Sequence, residues 1–153
     1  MTPSARGAIH QTTTRLWPAM AAAALAGVAD TLYLTYTHMA GAGVACFGGG
    51  GCEAVQASRF GFLVGVPLGY LGLGYYGTVL ILVVLGWRMP DRRVPLLGLL
   101  FALSLSGALF SAYLVGVQRF VLNDFCSWCL VSAAAAMVLF GLTLAQVLRL
   151  PAR

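Results

Sequence analysis

Long apolar runs broken by short polar connections dominate the chain. Four of them reach the roughly 20 residues that a helix needs to cross a hydrocarbon core: Leu16 to Met39, Pro67 to Trp87, Val94 to Phe120 and Cys126 to Leu150. The pattern predicts an all-α integral membrane protein, a four-transmembrane-helix bundle over residues 16–150 with a polar cytoplasmic tail over residues 1–15. One connection of any length remains, residues 40–66. Within it, Ala54 to Phe60 reads as a short helix lying at the interface, a lid segment on the outer face. Pro67 suits the first turn of the second span, where a missing N–H costs nothing. Gly61, Gly65 and Gly69 recur every fourth position, and Gly72, Gly74 and Gly77 follow, a stripe expected to let helices approach closely in lipid.

Composition sharpens this picture. The chain of 153 residues is 60% hydrophobic and 8% charged, where a soluble domain carries about a quarter charged residues. That leaves no room for a second, soluble domain. Net charge is +5 and every basic residue is arginine. The arginines are spread among connections rather than gathered on one face, which argues against nucleic-acid binding. Arg6, Arg15, Arg88, Arg92, Arg93, Arg149 and Arg153 fall on the side of both chain ends, and only Arg59 and Arg119 fall near the other. The positive-inside bias then puts both termini in the cytoplasm of a multi-pass plasma or inner-membrane protein. The apolar run after Arg15 exceeds a signal-peptide core, so it is expected to stay as a span.

The candidate chemistry is sulfur. Cys46 and Cys52 flank Gly48 to Gly51 in the outer loop, and Cys126 and Cys129 form Cys126-Ser127-Trp128-Cys129 where the last span begins. Glycine has the widest backbone freedom, so the loop can swing, and its five intervening residues can close a disulfide ring. At a helix start, residues i and i+3 share a face and the N-terminus favours the thiolate. Asn123 or Asp124 is the expected cap. Cys129 should lie about 4–5 Å deeper than Cys126 along the helix. Both pairs face the oxidising side, where disulfides persist. Exchange proceeds by thiolate attack through a mixed disulfide, so the pattern reads as a relay: Cys46 meets a soluble partner, Cys52 hands over to Cys126, and Cys129 faces an oxidant dissolved in lipid. The competing readings are a four-cysteine metal site and two inert structural disulfides. Asp30, near the middle of the first span, is either part of a proton relay or a polar contact between helices. His38 is an interfacial side chain.

Further marks are Ala26-Gly27 with Tyr33-Leu34-Thr35-Tyr36, Ser58-Arg59-Phe60-Gly61, Gly65-Val66-Pro67-Leu68-Gly69 with Gly72 and Tyr75-Tyr76, Tyr113-Leu114, and Phe125-Cys126-Ser127-Trp128-Cys129-Leu130-Val131-Ser132. Over about Ala26 to Ala136 these resemble a bacterial member of the vitamin K epoxide reductase family. The resemblance implies a four-helix bundle surrounding a quinone (ubiquinone or menaquinone). It implies shuttle roles for Cys46 and Cys52, an active-site pair Cys126 and Cys129 with Cys129 next to the quinone, and Ser58 supporting the quinone pocket or the reactive sulfur. It also implies a disulfide-generating enzyme that oxidises a thioredoxin-like, DsbA-type protein. Some bacterial members carry that domain fused, whereas this chain runs to Pro151-Ala152-Arg153, so a separate partner is expected. Animal members have a tyrosine where this chain has Ala133, so quinone rather than epoxide is the expected substrate. A DsbB-type oxidase shares the class but reverses the order of the cysteine pairs.

Overall fold

The computed structural model describes residues 3–48 and 50–149, with side chains from Leu16 onward. Gly49 of the glycine run, the side chains of Arg6 and Arg15, and the expected features at Leu150 and Pro151-Ala152-Arg153 lie outside the described residues. The chain is 81% helical. Its elements are α1 (Pro3–Met39), α2 (Cys52–Ala57), a 3-10 turn (Arg59–Gly61), β1 (Phe62–Leu63), β2 (Val66–Pro67), α3 (Leu68–Arg88), a second 3-10 turn (Pro90–Arg92), α4 (Arg93–Val117), a π-helical turn (Gln118–Leu122) and α5 (Ser127–Val147).

Four segments are long and apolar enough to cross a membrane: Leu16–Met39, Leu68–Arg88, Pro90–Leu122 and Ser127–Val147. They match the expected spans to within a few residues at each end. Outward-facing positions on all four are large and apolar, among them Leu25, Leu32, Ile81, Leu99, Leu109, Met137 and Val138. A water-facing surface of that kind is unstable, whereas lipid accepts it and demands only that backbone groups be satisfied within the helices. This is a membrane protein with a four-helix bundle.

α1 packs against α3 and α5, and α4 closes the bundle against α3 and α5. The core at the arginine-rich end contains Trp17, Met20, Ala24, Val79, Val83, Leu100 and Leu139. Without a hydrophobic driving force in lipid, helices associate by close van der Waals fit, which small residues permit. The glycine stripe does this selectively. A Cβ on Gly72 would stand 2.6 Å from the Thr31 methyl, and one on Gly69 would stand 3.2 Å from Thr35 Oγ1. Gly27 accepts the ring of Tyr76 in the same way from the α1 side. Gly74 and Gly77 meet nothing within 4 Å, so they take no part in the packing that the stripe predicts.

Between Cys52 and α3 the structure departs from a plain helical lid. α2 ends after one and a half turns, and Ser58 caps the following 3-10 turn: its hydroxyl donates to the Val55 carbonyl at 2.6 Å and accepts from the Phe60 N–H at 3.3 Å. The chain then makes an antiparallel hairpin pairing Phe62 with Pro67 and Leu63 with Val66. Its two central residues, Val64 and Gly65, have φ of 52° and 81°, the positive values that two-residue hairpin turns require. Pro67 therefore sits in β2 as the residue before α3 rather than in the helix's first turn.

The interface between α1 and α3 makes a sharp contrast testable. Gly72→Ala forces Thr31 to move and is expected to cost about 1–3 kcal/mol. Gly74→Ala has open space and gains helix propensity of up to about 1 kcal/mol. Thermal unfolding in detergent should show a lowered midpoint for the first variant and an unchanged or raised one for the second.

Candidate functional site

All four cysteines gather at the end of the bundle formed by the C-terminus of α1 and the start of α5. Arg88, Arg92, Arg93 and Arg149 lie at the opposite end, on the α3–α4 connection and after α5. Cys46 and Cys52 form a disulfide with a Cα–Cα distance of 5.8 Å, and Cys126 and Cys129 are free thiols. Cys52, Val55 and Cys126 make a small buried cluster of their own, with Val44, Cys46, Leu122, Trp128 and Cys129 packed around it. Cys52 is 1% exposed and Cys126 0%, while Cys46 is only half-buried. The geometry therefore sets the second cysteine of the outer pair against the first cysteine of the inner pair.

The loop is held there by the residues between the motif cysteines. The Trp128 indole N–H donates to the Ala45 carbonyl at 2.8 Å, and the Ser127 hydroxyl donates to the Phe47 carbonyl. Cys46 Sγ stands 3.8 Å from Ser127 Oγ. The Trp128 ring lies between Tyr33, with centroids 4.6 Å apart, and Phe47, 5.2 Å apart and edge-on. Tyr33 in turn accepts the Ala45 N–H at 3.2 Å. On the far side of the disulfide, Gly51 lies against the backbone of Phe125, whose nitrogen and oxygen would both come within 3 Å of a Cβ at that position (2.8 and 2.7 Å). The glycine run thus ends where main chain must meet main chain.

The start of α5 differs from expectation in one respect. Neither Asn123 nor Asp124 caps the helix. Asn123 adopts a left-handed turn with φ of 53°, and the cap is Cys126 itself, whose sulfur accepts the Cys129 N–H at 3.3 Å. The backbone N–H of Cys126 is held at 2.8 Å by the side-chain oxygen of Gln118, which is 2% exposed and comes from the π-helical turn after α4. Cys126 lies just ahead of the span Ser127–Val147. Its thiol is held below the ordinary cysteine range, first by the hydrogen bond from the Cys129 thiol, with burial opposing and the Cys129 and Trp128 N–H groups assisting. That is the condition for a nucleophile or leaving group in thiol exchange.

Cys129, one helical turn further on, lines a cavity of about 500 Å³ between the helices. Leu34, Leu68, Leu71, Phe110 and Leu114 provide apolar walls, and Thr31, Tyr75, Tyr76, Ser106, Ser111 and Ser132 also line it, the hydroxyls of Thr31, Tyr75, Tyr76 and Ser106 being donated to main-chain carbonyls. Val55 and Gln56 of α2 and Gly61 of the following turn form its outer cover. Gln56 lines both this cavity and the outer hollow beside His38, and its Nε2 is buried with no hydrogen-bond partner among the described residues, an orphan donor that a carbonyl oxygen would satisfy. An apolar cleft with a few polar groups is the usual form of a site for a small ring compound, and the apolar walls with the unpaired Gln56 amide fit a quinone.

The structure brings the four cysteines together. Ser58 lies in the lid turn between Gln56 and Gly61, with its hydroxyl engaged by the backbone. His38 is on the outer surface, edge-on to Phe62 and Tyr70 and beside a shallow hollow that includes Glu53. Sequence reasoning missed Gln118, Gln56 and the clamp made by Ser127 and Trp128. Gln118 carried a weak signal, as a lone amide at the end of an apolar run.

A four-span membrane protein with a docked disulfide beside a free dithiol belongs among the membrane thiol–disulfide oxidoreductases. The family model of the Vitamin K epoxide reductase family matches residues 18–144, and the chain belongs to that family. It is a membrane thiol–disulfide oxidoreductase.

Trp128→Phe keeps the ring but removes the donor to Ala45. Loss of that bond, about 1 kcal/mol, should loosen the loop and raise the labelling rate of Cys126 by a water-soluble maleimide roughly fivefold. An unchanged rate would show that the clamp does not hold the loop.

Proposed function

We propose that this enzyme passes electrons from a thioredoxin-like, DsbA-type protein on the outer face through Cys46–Cys52 and Cys126–Cys129 to a membrane quinone, and so generates disulfides in exported proteins. The observation that carries this reading is the split surroundings of the inner pair. Cys126 is buried against the docked outer disulfide, while Cys129 opens onto the apolar cavity. The dithiol spans two compartments, one reached by protein sulfur and the other by lipid-soluble molecules.

The steps follow from exposure and spacing. A thiolate of the soluble partner attacks the more accessible Cys46, Cys52 leaves, and the partner's second thiol completes its own oxidation. Cys52 then attacks Cys126 of an inner disulfide, which frees Cys129. Cys46 resolves the mixed disulfide, restoring Cys46–Cys52 beside a reduced inner pair, the arrangement described above. A bound quinone supplies an acceptor for two electrons and two protons. The Gln56 amide orients one of its oxygens, the hydroxyls of Tyr75 and Tyr76 do so only on turning from the Leu103 and Ser132 carbonyls that they bond, and the apolar walls exclude water. Ser58 acts through position, by fixing the turn that holds α2 over the cavity. Ala133 lines the cavity with a methyl group where animal relatives have a phenol, which supports quinone over epoxide as substrate.

Orientation follows from charge. The arginines at the end remote from the cysteines favour the cytoplasm, which leaves the sulfurs on the extracytoplasmic face of the plasma or inner membrane and the chain ends in the cytoplasm.

In cells lacking their own quinone-linked oxidase, wild type should restore disulfides in secreted proteins and Cys129→Ser should restore none. Full restoration by Cys129→Ser would defeat the relay. Ala133→Phe, which fills part of the cavity, should raise KM for quinone at least about tenfold, the equivalent of roughly 1.4 kcal/mol of lost binding. Reduction of Cys46–Cys52 by a small dithiol should be unchanged in that variant, which separates the two halves of the reaction.

A further inference from the structure

Asp30 has no part in the scheme above, yet it is 3% exposed in the first membrane span. Neither carboxyl oxygen has a hydrogen-bond partner among the described residues. A carboxyl of this kind is cheap to bury with a proton on it and costly without. A residue whose only task was to fill space between helices would be served better by leucine or threonine.

The groups facing Asp30 come from the two helices packed against α1. From α3 comes Tyr76, and from α5 come Ser132, Cys129 and, at the helix start, Cys126. Gly27, at i−3 from Asp30, lies against the Tyr76 ring, so Asp30 shares the α1 face that meets Tyr76 and its partner Ser132, although neither carboxyl oxygen is bonded to them in this arrangement. Ser132 and Tyr76 are tied together: the Tyr76 hydroxyl donates to the Ser132 carbonyl at 2.6 Å and accepts from the Ser132 hydroxyl at 3.2 Å. Both line the cavity, and Ser132 follows Cys129 at the i+3 position that shares its helix face. Asp30 itself does not line the cavity. It stands behind two hydroxyls that do, within electrostatic reach of both inner sulfurs.

We propose that Asp30 is a proton-relay carboxyl: it gives its proton through Ser132 and Tyr76, whose hydroxyl turns from the Ser132 carbonyl, to an oxygen of the acceptor in the cavity, and is reprotonated by Cys129. This rests on the quinone reading above. Oxidation of the inner dithiol breaks two S–H bonds, forms the Cys126–Cys129 bond and releases two electrons and two protons. Both electrons go to the quinone, which ends as the hydroquinone. The proton from Cys129 takes the Asp30 route. The proton from Cys126 leaves for the outer water, and the same water supplies the second oxygen of the hydroquinone. Asp30 finishes in the protonation state in which it began. Hydrocarbon around the spans offers no water to carry the Cys129 proton, so a fixed exchangeable group beside the sulfur has a definite task. Asp30 acts through Ser132 rather than by contact with substrate, so it is a positioning residue for the proton.

The test uses the full-length protein in lipid nanodiscs. Infrared difference spectra between its dithiol and disulfide forms, with and without ¹³C-labelled aspartate, should contain a carboxyl band that moves with the label and is missing in Asp30→Asn. The other aspartates, Asp91 and Asp124, are exposed outside the helices that form the cavity. With quinone present, Asp30→Asn should lower kcat about 100-fold, the scale of general acid–base assistance, and abolish the solvent isotope effect on that step. KM and the reduction of Cys46–Cys52 should stay near wild type, and Asp30→Glu should recover part of the rate. A label-insensitive spectrum, or wild-type kcat and isotope effect in Asp30→Asn, would overturn the proposal. Should Asp30→Asn fail to fold, the labelled wild-type spectrum decides alone. Should wild type reduce no quinone, the functional reading falls while the spectrum still decides whether Asp30 responds to the dithiol.

Discussion

The first turn of α5 is the constraint on which the rest of this structure depends. A helix begins with backbone N–H groups that lack partners, and here two are met by redox or redox-adjacent side chains. Cys126 Sγ takes the N–H of Cys129, and Gln118 takes the N–H of Cys126. The cap that starts the helix is thereby also the sulfur to which the proposed function assigns the exchange. If Gln118 were lost, a buried N–H at this position would go unsatisfied, at a cost of about 1–3 kcal/mol. The same loss would free the orientation of Cys126. Fold stability and chemical readiness are set by the same bonds.

The proposed relay poses a problem of access, and the surroundings of that turn are suited to it. A dithiol in lipid is out of reach of soluble proteins, and one in water is out of reach of lipid-soluble oxidants. One helical turn separates Cys126 from Cys129, and that distance carries the pair from the docked loop to the cavity. The loop is fixed by contacts to Ser127 and Trp128, so the residues inside the Cys-x-x-Cys motif hold the other cysteine pair in place. The lid, through Val55, Gln56 and the turn capped by Ser58, covers the cavity from the same loop. Loop docking and cavity closure are thus mechanically connected through the short stretch from Cys52 to Gly61.

Much of this was legible in the chain before any coordinates. Apolar length alone defines membrane spans, and cysteine spacing with a helix start defines the inner pair, because both are local signals. What escaped was nonlocal or disguised. Phe62 to Pro67 reads as the approach to a span, since its apolar residues hide a hairpin whose turn includes a valine in an unfavourable region. Asn123 and Asp124 are better caps by preference than cysteine, but tertiary contact with Gln118 overrides preference. Within the glycine stripe, spacing alone did not separate Gly69 and Gly72, which meet α1, from Gly74 and Gly77, which meet nothing. Asp30 stood out as a buried acid, but its neighbours sit on other helices and no periodicity reveals them.

Trp128 is sandwiched by Tyr33 and Phe47 and lies in the same small cluster as the outer disulfide. Disulfides quench nearby indoles, and release from stacked rings into water shifts indole emission to longer wavelengths. The enzyme consequently carries a built-in optical gauge: each cycle of bond breakage and loop movement should be written into the emission of one native fluorophore, with Trp17 and Trp87 far away at the arginine-rich end as a steady background.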